Sequence, residues 1–296
     1  MNEPASDADR LVETVRACGS CAVAFSAGVD STVVAAAAKR ALGDRAVAVV
    51  GVGPALAEGE LYAARELADL IGIKLVEAPT GEIALPGYRA NTPDRCYHCK
   101  TELYTHVERV AAERGLAVIA NGANADDTGD HRPGMRAADE FAVRSPLLEC
   151  GLGKEAVRAI ARLWGLPVAD KPAAPCLASR IAYGEEVTPE RLAMVDAAER
   201  RLRSLNLPGA SARGLRVRYH RGDVARIEVP AEAIPEVAAE AVRGPLLADL
   251  RALGFKRVTL DLAGFESGNL NTLVPVESLT AAGDERRAER SSSRES

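Results

Sequence analysis

Four short segments of the chain are mainly apolar: residues 21–25 (Cys-Ala-Val-Ala-Phe), 46–52, 73–78 and 116–120. Between and around them, apolar residues recur three or four apart. Leu11 and Val15 do so in residues 7–18, and residues 30–42, 58–72, 98–115 and 154–165 follow the same rule. The first pattern predicts strands buried on both faces and the second predicts amphipathic helices. Alternating in this way, they predict an α/β fold built on a parallel sheet with helices on both sides. In such sheets ligands gather beyond the carboxyl ends of the strands. The places to search for chemistry are therefore just after Phe25, Val52, Ala78 and Ala120.

The pattern changes after about Arg180. Residues 189–205 are helical, with Thr188 as a candidate cap. Residues 215–219 and 224–229 alternate as strands, and the Arg221-Gly222 step between them suggests a hairpin. Residues 232–253 read as one helix and 257–262 as a last strand. This order predicts a smaller α+β domain. The expected organisation is residues 1–175, residues 176–280, and an Arg/Glu/Ser-rich tail, 281–296, whose composition predicts disorder.

Composition narrows the class. Of 296 residues, 47% are hydrophobic and 27% charged, which fits a folded globular protein. No apolar run approaches the ~20 residues of a membrane span. The acidic start, Met1 to Asp7, lacks the apolar core of a secretory signal. A cytoplasmic protein without a membrane partner is expected. The net charge of −5 argues against a nucleic-acid partner. The six cysteines, in a reducing compartment, are more often buried, reactive or metal-bound than bridged.

Ser26-Ala27-Gly28-Val29-Asp30-Ser31 follows the first strand and opens a helix. Small residues let the backbone approach a ligand, and free N–H groups at a helix start attract anions. Ser26 and Ser31 add hydroxyls, and Asp30 can hold a metal ion. The loop lacks the Lys of a Walker-type phosphate loop. Taken alone, it also reads as a capped tight turn.

In this setting residues 24–31 resemble the S-G-G-x-D-S PP-loop of the ATP pyrophosphatases, enzymes that split ATP between the α and β phosphates. Ala27 stands where the middle glycine is usual, which suggests that this position needs no positive φ. Further segments narrow the resemblance to LarE, the sulfurtransferases that make the nickel-pincer cofactor of lactate racemase. These are Asn91-Thr92-Pro93-Asp94, Asn121-Gly122 with Asp126-Asp127, His131-Arg132-Pro133-Gly134, Pro175 to Arg180, Arg216-Val217-Arg218, and Val258 to Leu262. The similarity runs from about Ala22 to Asn271.

Cys96-Tyr97-His98-Cys99 lies after an irregular segment where a ligand-binding loop is expected, and the single Cys176 sits in a Pro-rich loop between the two domains; soft thiolates suit zinc or an iron–sulfur cluster. A structural zinc site usually takes four protein ligands. Three thiolates suit a 4Fe-4S cluster that keeps one iron open for an added sulfide. Zinc completed by His98 or the second C-x-x-C pair, and unliganded thiols, are the alternatives. Some LarE proteins have only the equivalent of Cys176 and sacrifice its sulfur. The presence of Cys96 and Cys99 makes this chain similar to the cluster-dependent branch. Cys18-Gly19-Ser20-Cys21 and Cys150 are expected to be structural.

The resemblance implies that Gly122, Lys100 and Arg132 contact ATP or AMP, and that Glu199 joins Asp30 in binding Mg²⁺. Asp126 and Asp127 fit either Mg²⁺ or a helix cap. The family substrate is a pyridinium mononucleotide carrying two carboxylates and a phosphate. Arg180, Arg216 and Arg218 suit such an anion. Arg216 and Arg218 are two apart on a strand and share a face. Asp223 is a weaker acidic candidate. Glu266 departs from the family's arginine in the closing G-[YF]-R-x-G motif. The expected activity is carboxylate adenylation followed by sulfur transfer, in a homo-oligomer. A PP-loop tRNA thiolase and a non-catalytic nucleotide-responsive metal or cluster sensor are the alternatives.

Overall fold

A computed structural model describes residues 3–129, 133–172, 175–209 and 214–265. Arg132, Glu266 and the tail 281–296 lie outside these. The first half runs α1 (Glu3–Arg16), β1 (Cys21–Ala24), α2 (Val29–Leu42), β2 (Ala46–Val52), α3 (Glu60–Ile71), β3 (Lys74–Pro79), α4 (Pro86–Arg89), α5 (Arg95–Arg114), β4 (Val118–Ala120), α6 (Pro133–Glu140), α7 (Pro146–Glu149) and α8 (Lys154–Leu163). The second half adds α9 (Pro189–Arg203), β5 (Arg216–His220), β6 (Val224–Glu228), α10 (Ile234–Ala238), α11 (Glu240–Ala252) and β7 (Arg257–Leu260). Among the described residues no helix is long and apolar enough to cross a membrane.

The first four strands form a parallel sheet in the order β3-β2-β1-β4. The two-residue period of β1 divides its side chains between two cores. Cys21, Val23 and Phe25 pack with α1, α2 and α8, whereas Ala22 and Ala24 pack with α5 and α6. β2 divides in the same way, with Ala46, Ala48 and Val50 on one side and Val47 and Val49 on the other. Both strands therefore need apolar residues throughout, as the sequence shows. β3 is an edge strand, and only Ala78 of its residues is buried. Its polar positions face solvent, with Glu77 held by both Arg65 Nε and Nη2 at 2.7 and 2.9 Å.

The second sheet has the order β5-β6-β7. β5 and β6 form the expected hairpin, which turns through Gly222 and Asp223 at φ +81° and +57°. Thr188 caps α9, its hydroxyl accepting from the Arg191 amide at 3.3 Å. The continuous helix expected over residues 232–253 is instead broken. The chain turns extended at Ala239 (φ −62°, ψ 141°), separating α10 from α11. Pro235 and Pro245 flank the break, and neither has an amide hydrogen for a helical ladder. Leu192, Val195 and Leu202 of α9 pack against Val217, Tyr219, Ile227 and Leu250. This second core also takes Ala55 and Tyr88 from the segment between β2 and α5.

Candidate active site

The first strand leads into the turn expected to bind an anion. Gly28 caps α2 in an extended conformation (φ −80°, ψ 164°), so the first amides of the helix face the loop. Ser31 Oγ closes the turn. It accepts from the Ser26 amide at 3.2 Å, lies 3.1 Å from Ser26 Oγ and donates to the Gly28 carbonyl at 3.2 Å. Ala27 does adopt a positive φ, +55°, contrary to the expectation drawn from its methyl group. The left-handed turn survives the glycine replacement because Ala27 is buried and its carbonyl accepts from Lys171 Nζ at 3.3 Å. Lys171 also pairs with Glu60 at 3.0 Å. Its role at this loop was not visible in the sequence.

The turn after β4 packs directly on this loop. Gly122 has no room for a side chain, because a Cβ would stand 2.7 Å from the Ser31 amide nitrogen. Asn124 Nδ2 donates to Asp30 Oδ1 at 3.1 Å, and the Asn124 amide donates to Asp127 at 3.1 Å. Burial, with some help from Asp127, pushes the Asp30 carboxyl up, while Asn124 opposes the shift. A cation beside Asp30 would restore the charged form, so this carboxylate suits a metal held near the phosphates. Asp126 accepts from the Lys154 amide at 2.7 Å at the start of α8, which favours its reading as a cap.

The thiols converge on the same edge of the sheet. α5 runs back into β4, so its first turn, with Cys96 and Cys99, lies beyond the carboxyl ends of the strands. The amide that follows Cys176, that of Leu177, donates to the Ala55 carbonyl in the loop after β2 at 3.0 Å. Cys96 and Cys176 are exposed, and Cys99 is half-buried. The Cys99 thiol is pushed up to about 12, first by burial and then by the neighbouring Cys176, with Cys96 adding to the effect and Lys100 opposing it. The three sulfurs thus share one neighbourhood. Among the described residues, no three His, Cys, Asp or Glu side chains form a closed metal-binding group. Lys100 lies 5.9 Å from the Tyr104 ring centroid and packs beside Gly134.

Arg95, Tyr88 and Glu82 lie near the thiols, Asn91 accepts from Arg95, and none of the four stands out individually in the sequence. Asn91 is fully buried and donates to the carbonyls of Ile181, Ala182 and Glu185 at 3.2, 2.8 and 2.9 Å. The Tyr88 hydroxyl and Glu82 Oε2 are buried without a hydrogen bond among the described residues. Only the specificity of the Asn91-Thr92-Pro93-Asp94 segment hinted at this cluster.

Arg180, Arg216 and Arg218 are brought together, and all three are buried. Arg180 donates to Glu199 Oε1 at 2.9 Å and to the Pro175 carbonyl at 2.6 Å, holding the turn that carries Cys176. Arg218 pairs with Glu228 at 3.0 Å and donates to the Ser179 carbonyl at 3.0 Å. The Arg216 guanidinium stands 5.1 Å from the Phe265 ring centroid. Burial, then the like charge of Arg180, brings it down to about 10. Glu199 is fully buried, with oxygens engaged by Arg180, Arg203 and the Val217 amide. The structure thus places it as the counter-ion of the arginines. Arg132 lies outside the described residues. The Cys18–Cys21 pair lies at the opposite edge of the sheet, where Cys21 opens β1 and burial pushes its thiol up to about 12.

No family model matches the chain. It is 44% identical over 85% of its length to an uncharacterised protein of Synechocystis sp., covering 92% of that protein. It is 36% identical over 92% of its length to the pyridinium-3,5-bisthiocarboxylic acid mononucleotide synthase of Lactiplantibacillus plantarum, covering 96% of that enzyme. It is also 30% identical over 55% of its length to a tRNA-specific 2-thiouridylase of a Caulobacter species, covering 51% of that enzyme. Both named relatives are enzymes, and so is this chain. A turn of free amides after β1, a trio of thiols at the same edge of the sheet and similarity along nearly the whole length lead to one assignment: the chain belongs to the LarE family within the PP-loop enzymes.

Proposed function

We propose that the enzyme adenylates the carboxylates of pyridinium-3,5-biscarboxylic acid mononucleotide and converts them to thiocarboxylates. The observation that carries this reading is the Leu177–Ala55 hydrogen bond, which brings the Cys176 turn to the nucleotide edge of the sheet. The amides at the start of α2 receive the β and γ phosphates of ATP, and Asp30 shares Mg²⁺ with them. Lys100 and Arg132 offset charge on the α phosphate. A substrate carboxylate oxygen attacks that phosphorus, pyrophosphate leaves, and an acyl adenylate remains. AMP is then displaced from the acyl carbon by a sulfur nucleophile, and a thiocarboxylate results. Two rounds convert both carboxylates.

Cys96, Cys99 and Cys176 suit a 4Fe-4S cluster by the softness of the donor set and by their shared neighbourhood. Such a cluster supplies, when bound, an iron open to an added sulfide. The chain's own residues hold the thiols in place through Arg180 and Asn91. They draw the anionic substrate with the buried arginine group, where Arg216 carries a charge that its surroundings disfavour.

The test is anaerobic purification, iron, sulfide and zinc analysis, and assay of pyrophosphate and thiocarboxylate with ATP and the biscarboxylate. Iron and sulfide that are lost in Cys96→Ala, with pyrophosphate release that needs the biscarboxylate, are expected. One zinc per chain, no iron and no effect of Cys96→Ala would overturn the cluster assignment. ATP turnover indifferent to the biscarboxylate would overturn the substrate.

A further inference from the structure

Arg95 opens α5 one residue before Cys96, yet only 5% of it is exposed. A guanidinium is costly to bury unless a counter-charge or full hydrogen bonding compensates. Among the described residues no carboxylate pairs with it. Its Nη1 donates to Asn91 Oδ1 at 2.5 Å and to the Ala178 carbonyl at 2.9 Å. Its guanidinium carbon lies 5.8 Å from the Tyr183 ring centroid.

These contacts join the two segments that carry the sulfurs. Ala178 is two residues from Cys176, in the short turn Leu177–Arg180. Arg95 is the first residue of the helix that bears Cys96 and Cys99. Asn91, gripped by Arg95, also fixes the chain beyond that turn through Ile181, Ala182 and Glu185. A lysine in place of Arg95 would retain charge but lose the planar fork.

We propose that Arg95 is the positioning residue and fixed counter-charge of the three-thiol site: it sets the approach of Cys176 to Cys96 and Cys99 and offsets the negative charge that three thiolates gather. The charge half of this inference rests on the cluster reading above, and the positioning half does not. Three thiolates in one place repel one another, and a buried cation without a carboxylate partner relieves that repulsion. Net charge and hydrogen bonding around a cluster set its potential, and loss of a nearby positive charge makes reduction harder.

The test compares wild type, Arg95→Lys and Arg95→Gln, each checked for folding by circular dichroism. In the metal-free protein, dibromobimane reads whether Cys176 can be bridged to Cys96 or Cys99, with the bridged peptide identified by mass spectrometry. Bridging in wild type and a several-fold loss in Arg95→Gln are expected. In reconstituted protein, a redox titration reads the potential. A more negative value in Arg95→Gln and a wild-type value in Arg95→Lys are expected. Unchanged bridging and unchanged potential in Arg95→Gln overturn the proposal even where iron loads normally. If Arg95→Gln does not fold, a fall in potential in Arg95→Lys overturns the charge role, and its unreduced bridging overturns the positioning role. If wild type takes up no iron, the cluster reading fails, and bridging alone decides whether Arg95 positions the thiols.

Discussion

Gly122 and Ser31 touch backbone to backbone: a single carbon added at residue 122 would lie 2.7 Å from the Ser31 amide nitrogen. That amide belongs to the first turn of α2, the group expected to face phosphate. Gly122→Ala must push the turn after β4 away from the loop. Overpacking of this kind costs about 1–3 kcal/mol. The larger loss is expected in ATP binding, since the helix start moves. Thermal shift on adding Mg-ATP checks this. Wild type gains stability with nucleotide, and Gly122→Ala gains little.

Glu199 and Arg180 form a buried pair with side chains 1% and 5% exposed. Removing one partner of such a pair costs about 3–5 kcal/mol, because the other charge stays buried. Glu199→Ala would leave Arg180, Arg203 and Arg216 crowded without their carboxylate. A large drop in the urea midpoint is expected. Removal of Asp44, whose side chain is 99% exposed in its pair with Lys39, leaves the midpoint nearly unchanged.

His220 gives the stability a pH dependence of known sign. Burial first, then Arg226 and Arg218, lower its pKa from the ordinary 6.5, with Glu228 and Glu185 opposing. The unfolded chain therefore binds a proton that the folded chain refuses. The contribution is present above pH 6.5 and is lost as pH falls through the ordinary value toward the depressed one. His220→Asn should flatten this part of the stability–pH curve, measured by urea unfolding at steps between pH 7 and 5. An equally steep fall in the variant would show that other groups carry it.

Alkylation should divide the cysteines. In metal-free protein at pH 8, iodoacetamide is expected to label the exposed Cys96 and Cys176 and to spare Cys21 and Cys99, whose thiols lie near 12. Peptide mass spectrometry reads each position. Fast labelling of Cys21 would mean that β1 is not the buried centre of the sheet.

Much of this arrangement could be read from the chain. β1 and β2 announce themselves because strands covered on both sides leave no place for a polar residue. Ser26 to Ser31 could be placed as the turn between β1 and α2 because a buried strand precedes it and a helical pattern follows it. Other features depend on partners remote in sequence. Nothing near Arg95 shows that the Ala178 carbonyl will accept its hydrogen bond, so a residue beside a cysteine pair looks like ordinary surface. The same holds for Glu199, for which the family resemblance implied Mg²⁺ and whose engagement by Arg180, Arg203 and the Val217 amide depends on residues not adjacent to it in the chain. The φ of Ala27 escaped because a methyl group only disfavours the left-handed turn, and tertiary contacts decide the outcome. The break at Ala239 was obscured by good helical spacing on both sides of it.

The second core reaches back across the chain for Ala55 and Tyr88. A gene cut near codon 175 would yield an amino-terminal fragment with Tyr88 bared to water and its companion short of hydrophobic filling. The first half of the chain is thus not finished by its own residues: part of its apolar surface is closed only by segments that follow residue 175.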